Sequence, residues 1–234
     1  MSGAAAYMNL SFEAAIAFFR AKLNMPAATW DAIWGEMNTQ AFTVAGAMTD
    51  DIIESFRIAV DRAVSTGSTL ADFRKDFNGI VEKFGWGFNG SAAWRAAVIY
   101  NTNLSVAYQR GHWQQMTDPD VVKTHPFLRY IRSSSAEPRP EHQQWADLIL
   151  PWDHPFWRTH YPPNGWGCKC GVVSMSERQV QRLIDQGVNV QRTEPEIEYY
   201  DYEDKVRDRV IKVPKGIDPG WDYNVGIDGF RGSV

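Results

Sequence analysis

Apolar residues in the first half of the chain recur at three- and four-residue spacing, in runs that open at a capping residue and stop at glycine or proline. Ser11 can cap a first helix carrying Ala14, Ile16, Phe18, Phe19 and Leu23, ended near Asn24 and Pro26. Thr29 opens a second, with Trp30, Ile33, Trp34 and Met37 spaced for one face. Thr49 caps a third through Ile52, Ile53, Phe56, Ala59, Val60 and Ala63, with Gly67 as its stop. Thr69 caps a fourth through Leu70, Phe73, Phe77, Ile80, Val81 and Phe84, before Gly85, Gly87 and Gly90 interrupt it. Ser91 opens a long fifth helix past Trp94, Val98, Leu104 and Tyr108 to about Met116. Short helices joined by short turns predict a bundle or layered helical region over residues 1–117, with no internal repeat.

After Thr117 the pattern changes. Prolines stand at 119, 126, 138, 140, 151, 155, 162 and 163, and every histidine falls at or beyond position 112. Short apolar stretches at Phe127–Ile131 and Cys168–Val173 predict strands, and Val210–Val213 predicts another. A helix returns at about Ser176–Gln186, capped by Ser176 and stopped by Gly187. The acidic run from Glu194 to Asp204 reads as a solvated loop, with a portal-docking or DNA-mimicking surface as the alternative. The fold class expected is therefore α+β: a helical region at 1–117, then an α+β region at 118–234 with short strands and many Pro/Gly turns.

Composition narrows the function classes. A chain of 234 residues with 44% hydrophobic and 22% charged residues is that of a globular protein able to bury a core. Ten tryptophans are an excess, which core packing or an aromatic contact surface would absorb. The net charge of -4, with no basic run, disfavours a phosphate-gripping DNA binder. The N-terminus lacks a basic segment followed by an apolar core, and no stretch approaches the roughly 20 apolar residues of a membrane span. A soluble protein that leaves its cell by lysis or inside a particle is expected, with no membrane partner.

The two cysteines, Cys168 and Cys170, are one residue apart, so a bridge between them would be strained and reduced thiols are expected. With His142, His154 and His160 they supply zinc's preferred donors, and His142, His160, Cys168 and Cys170 are the metal candidates. A second Cys-x-x-Cys pair is absent, and buried apolar thiols are the other reading. His142, preceded by Arg139 and Glu141, invites an acid–base role, but no Ser/His/Asp arrangement, phosphate loop or His-Glu-x-x-His helix accompanies it. A hydrogen-bonded structural histidine at a helix start, beside Pro140 at the first helical position, is preferred. Pro162-Pro163-Asn164-Gly165 reads as a rigid turn in which Asn-Gly takes positive backbone angles, clamped by Trp157, Tyr161 and Trp166. Asn101 and Asn103, with Arg95, are expected to bond that loop from the long helix.

The stretch RPEHQQWADLILPWDHPFWRTHYPPNGWGCKCGVV, from Arg139 to Val173, resembles the signature of the phage Mu protein F-like minor head proteins, related to a wider phage head-morphogenesis family. The matching elements are Arg139-Pro140-Glu141-His142, Pro155-Phe156-Trp157, and Tyr161 through Cys170. Arg95, Asn101-Thr102-Asn103, Ala107, Tyr108 and Gly111 look like the family's upstream helix, and Asp218 through Asn224 like its closing motif, so the resemblance spans roughly 91–226. One departure is visible: where relatives often have His-Gly or Asp-Gly, this chain has Trp145-Ala146-Asp147-Leu148, and its tight turn must be built differently.

The resemblance implies a minor structural protein of a tailed-phage head. Such a protein is made in the bacterial cytoplasm, resides in the virion, and acts in head morphogenesis and DNA packaging or delivery. Its implied partners are portal and capsid proteins, with packaged DNA as a further one. Its implied motif residues are Arg95, Asn101, Asn103, Arg139, His142, Pro162, Pro163, Gly165, Cys168 and Cys170, in structural or interaction roles, with no catalytic set and no cofactor beyond the zinc alternative. Some relatives carry C-terminal toxin or enzyme domains, and none is expected here. The competing readings are an enzyme using the His142/Cys168/Cys170 region and a DNA-binding head protein.

Overall fold

A computed structural model of the chain describes residues 13–35, 37–132 and 139–227. The chain forms two compact units that divide between Gly111 and His112, while the change of sequence texture lies near residue 118. Helices accompany short strands in small sheets, so the fold is α+β, as the sequence predicts.

In the first unit, helix α1 covers residues 13–21, and its expected cap Ser11 lies outside the described residues. The chain then turns extended, and β1 (Leu23–Asn24) pairs in parallel with β2 (Ala41–Phe42). The helix expected from Thr29 does not form. Residues 29–35 are turns and bends, and only α2 (Met37–Gln40) is helical. Gly35 sits at a φ of 57°, and the β1–β2 pairing fixes both ends of the segment, which overrides its local spacing. The supposed apolar face is not a buried one: Ile33 is buried, while Trp30 and Met37 are exposed.

The next two helices follow their end signals. α3 (Asp50–Thr66) has Asp50 and Asp51 in its first turn, where the helix dipole favours them, and closes on Gly67 at a φ of 71°. Thr49 holds the cap position, but its side chain makes no cap bond. α4 (Leu70–Phe84) begins with a reciprocal capping box between Thr69 and Asp72. Their facing stripes bury Ile53, Phe56, Val60, Phe73 and Phe77, and Ala96, Ile99 and Ala107 of α5 (Ala92–Met116) join the same core. Aromatic edges fill it: Phe56 meets Trp86 at 5.1 Å and Phe77 meets Phe88 at 5.2 Å between ring centroids. Trp86 donates its indole N–H to the Gly46 carbonyl at 3.0 Å, so its one polar group is satisfied.

The second unit takes in the end of α5 from His112 and then the short α6 (Pro119–Val122), and it is organised on β3 (Phe127–Ile131). This strand is the centre of an antiparallel sheet, with β4 (Ile149–Pro151) on one side and β5 (Gly171–Met175) on the other. Alternation along β3 sends Leu128 and Tyr130 into the core, both fully buried. The strand expected at Cys168–Val173 starts three residues later. Gly171 already pairs with Ile131, the last residue of β3, so no ladder partner remains for 168–170.

Three helices and a hairpin complete the unit: α7 (Pro140–Gln144), α8 (Trp157–His160) and α9 (Glu177–Asp185), then β6 (Tyr199–Asp204) against β7 (Arg209–Pro214). α9 carries the expected Ser176 cap, as a capping box with Gln179, and Gly187 follows it at a φ of 78°. The acidic run is not simply a solvated loop, because its second half is β6. Its charges meet basic residues in and beside β7: Asp201 pairs with Lys212, Glu198 with Lys215, and buried Asp204 with Arg207 and Arg209.

Candidate functional site

The site is built where α7, the loop 161–170 and the segment after β7 come together. Pro140 occupies the first helical position of α7, where its missing N–H costs no hydrogen bond, and Arg139 is the cap residue. One turn on, this geometry buries His142.

Arg139 grips Asp218 with two parallel bonds of 2.8 Å each. The Asp218 carboxylate also accepts the Trp166 N–H at 2.8 Å, and the Asp218 N–H donates to the Asn164 carbonyl at 3.0 Å. The loop and the closing motif are thereby locked to the start of α7. Gly165 sits inside this lock. A Cβ there would run into the Asp218 carboxylate and lie 2.6 Å from an Arg139 nitrogen. The turn expectation is corrected on this point: Gly165 supplies room, and the positive angle falls at Gly167, with a φ of 70°. The Pro162-Pro163 peptide is cis. Asn164 is fully buried, and its Oδ1 accepts the Tyr130 hydroxyl at 3.0 Å.

Of the three aromatics expected to clamp the loop, Trp157 and Tyr161 are buried, with Tyr161 edge-on to Trp113 at 4.9 Å. Trp166 stays 39% exposed and packs on Trp221 of the closing motif. Asn224 of the same motif donates to the Trp157 carbonyl at 2.9 Å. The missing glycine of the Trp145–Leu148 turn is replaced by Asp147 itself. It takes a φ of 62°, a conformation Asp tolerates, and its carboxylate accepts from Arg129 at 2.8 Å.

His142 is held on all sides. Its Nε2 lies 2.8 Å from the Gly216 carbonyl oxygen, which can only accept, so Nε2 carries the proton and Nδ1 presents a lone pair. That Nδ1 faces the sulfurs of Cys170 at 3.4 Å and Cys168 at 3.8 Å. The ring stacks on Trp145 at 5.0 Å. Gly216, at a φ of 85°, allows this approach, since a Cβ there would meet Glu141 at 2.6 Å and Trp145 at 3.0 Å. Among the described residues, the ligand atoms of His142, Cys168 and Cys170 all lie within 4.8 Å of one another.

The two thiols share their acidity unequally. The hydrogen bond from Cys168 is the largest cause drawing Cys170 down to about 4, while the bond to Cys170 and burial push Cys168 up. Burial raises the Tyr130 phenol well above its ordinary value, so it stays protonated as a donor.

The remaining candidates lie elsewhere. His160 does not join the ligand group. It stacks on Phe156 and meets Trp145 edge-on at 4.9 Å, and its Nδ1 bonds Thr159. Burial lowers it to about 4, which keeps the ring neutral. His154 lies 3.9 Å from Glu194. In the first unit, Arg95 donates to the Ala45 carbonyl, Asn103 to the Ile99 carbonyl of its own helix at 2.9 Å, and Asn101 is exposed. Sequence reasoning missed Tyr130, Trp145 and Gly216. Alternation marked Tyr130 only as core, and nothing in the sequence pointed to Gly216.

A family model described as phage Mu protein F like protein matches residues 54–173. It starts within α3, further upstream than the motif resemblance, and ends before the closing motif. A protein named "Putative capsid assembly protein F", of Escherichia phage Mu, is 31% identical over 92% of this chain and 54% of its own length. The Mu-like prophage FluMu F protein of Haemophilus influenzae is 30% identical over 88% of this chain and 55% of its own length. The chain thus spans about half the length of these curated relatives. No solved structure matches it.

Proposed function

The chain belongs to the phage Mu protein F-like family, and from that premise we propose that it is a structural protein of a tailed-phage head, acting in head assembly by binding other virion components. The observation that carries this reading is likeness over 92% of the chain to a protein named for capsid assembly. The chemistry of the signature supports it. Arg139, Gly165 and Asp218 are engaged with one another, Asn164 with Tyr130, and Asn224 with the Trp157 carbonyl. Residues so engaged define a rigid scaffold, and no substrate is needed to explain them.

The partners are portal and capsid proteins, met at the portal vertex, and the protein resides in the virion after synthesis in the bacterial cytoplasm. Exposed apolar groups such as Trp94, Trp30 and Ile58 are the contact points available to them. The net charge of -4 favours protein partners over packaged DNA, whose contact is the weaker part of the proposal. Among the described residues no helix is long and apolar enough to cross a membrane.

A thiol-based activity is the second reading, favoured by the Cys170 sulfur 3.4 Å from an oriented imidazole. Cys170 and His142 are both buried, which leaves a substrate no approach to the sulfur.

Co-purification of the full chain with the portal protein of the phage or prophage encoding it tests the main reading, with the major capsid protein as a second bait. Retention by portal or capsid protein is expected. Retention by neither, with all partners folded, would sink it.

A further inference from the structure

We propose that His142, Cys168 and Cys170 form a binding site for one thiophilic divalent metal ion, zinc by preference, that staples α7 to the loop 161–170. Neither the family likeness nor the names of the relatives assigns such a site.

The geometry is that of a tetrahedral site. Zinc bonds of about 2.3 Å to sulfur and about 2.0 Å to nitrogen, at tetrahedral angles, place a nitrogen and a sulfur about 3.6 Å apart. The His142 Nδ1 lies 3.4 Å from one sulfur and 3.8 Å from the other, on either side of that value. Two of the three donor–donor edges thus match a coordination tetrahedron, and all three donor atoms lie within 4.8 Å of one another.

The imidazole is also prepared as a ligand. A metal-bound histidine donates its other N–H to a carbonyl or carboxylate, which fixes tautomer and ring orientation. Here the Gly216 carbonyl takes that role at 2.8 Å, and stacking on Trp145 fixes the ring plane. Cys168 and Cys170 both turn their sulfurs toward the His142 Nδ1.

Charge balance favours a dication. On binding, the site holds both sulfurs as thiolates, any thiol proton passing to solvent, and two thiolates with one neutral imidazole offset a 2+ ion in a buried place. Among the described residues no fourth His, Cys, Asp or Glu joins the group. That leaves the fourth position to an oxygen ligand, water among them, on the side of Cys168, which is partly exposed and flanked by exposed Gly167 and Lys169.

The test is elemental analysis of the untagged full chain, purified under reducing conditions without chelator, then cobalt(II) exchange followed by absorption. One zinc per chain is expected, and cobalt should give intense tetrahedral bands with thiolate-to-metal charge transfer. Cys170→Ser and His142→Gln should lose the metal, while His154→Ala, outside the group, should keep it. The wild-type cobalt spectrum stands even where a variant fails to fold. Folded wild type with two free thiols that takes up no metal at added micromolar zinc overturns the proposal. So does recovery of a Cys168–Cys170 disulfide by mass spectrometry as the stable state under those reducing conditions.

Discussion

Gly165 and Gly167 are glycine for different physical reasons. At Gly165 the obstacle to a side chain is the Arg139–Asp218 lock, whereas at Gly167 nothing lies within 4 Å and the obstacle is the backbone angle. Gly165→Ala should therefore cost about 2–3 kcal/mol, as overpacking that also parts an ion pair does. Gly167→Ala should cost about 1 kcal/mol, the strain of a left-handed residue. Urea unfolding of both variants checks this, and equal losses would mean that room at Gly165 is not what matters. Lys22 gives a second prediction. It is buried, with its ammonium bonded only 2.6 Å from the Asn38 carbonyl, and burial lowers it to about 7. Between about pH 7 and its ordinary 10.5 the unfolded chain holds a proton that the folded chain has released. Stability from this group should then rise with pH across that window and be lowest below it. Lys22→Met should be more stable than wild type near neutral pH, and the difference should shrink toward pH 10. A difference that grows with pH would contradict the assignment.

At the scale of elements, what could be read from sequence was what local chemistry decides. α3, α4 and α9 end where their glycines stand, and Thr69 and Ser176 cap as expected because a capping box needs only residues three apart. The Thr29 helix failed because a two-residue parallel pairing, β1 with β2, fixed its ends from outside the segment. The predicted strand at Cys168–Val173 was right in kind and shifted in place, since its start is set by where β3 ends. The acidic run looked like a loop because its partners, Lys212 and Arg209 on β7 and Arg207 in the turn before it, are set by a pairing no local pattern reveals. The candidate site shows the same division. The Cys-x-Cys pair and His142 were visible as donor types. Their convergence depends on α7 and the loop being locked through Arg139 and Asp218, 79 residues apart. His160 could not be separated from His142, Cys168 and Cys170 by sequence, because only the fold sets it against Phe156 and Trp145.

At the scale of the whole chain, the motif run Arg139–Cys170 was specific enough to place the family, and the family model extends that likeness back to residue 54. The helices before residue 91 carry no quotable motif because they are held by apolar packing, which many residue combinations satisfy. The second unit keeps its signature because polar locks and close glycine contacts accept few substitutes. The function proposed for the chain is assembly of the head, and deletion of its coding sequence from the phage or prophage that encodes it tests this most directly. The measurement is the count of DNA-filled heads by electron microscopy after induction, with the chain restored in trans as the control. The account predicts that filled heads are lost on deletion and return on restoration. Normal numbers of filled heads in the deletion would contradict it.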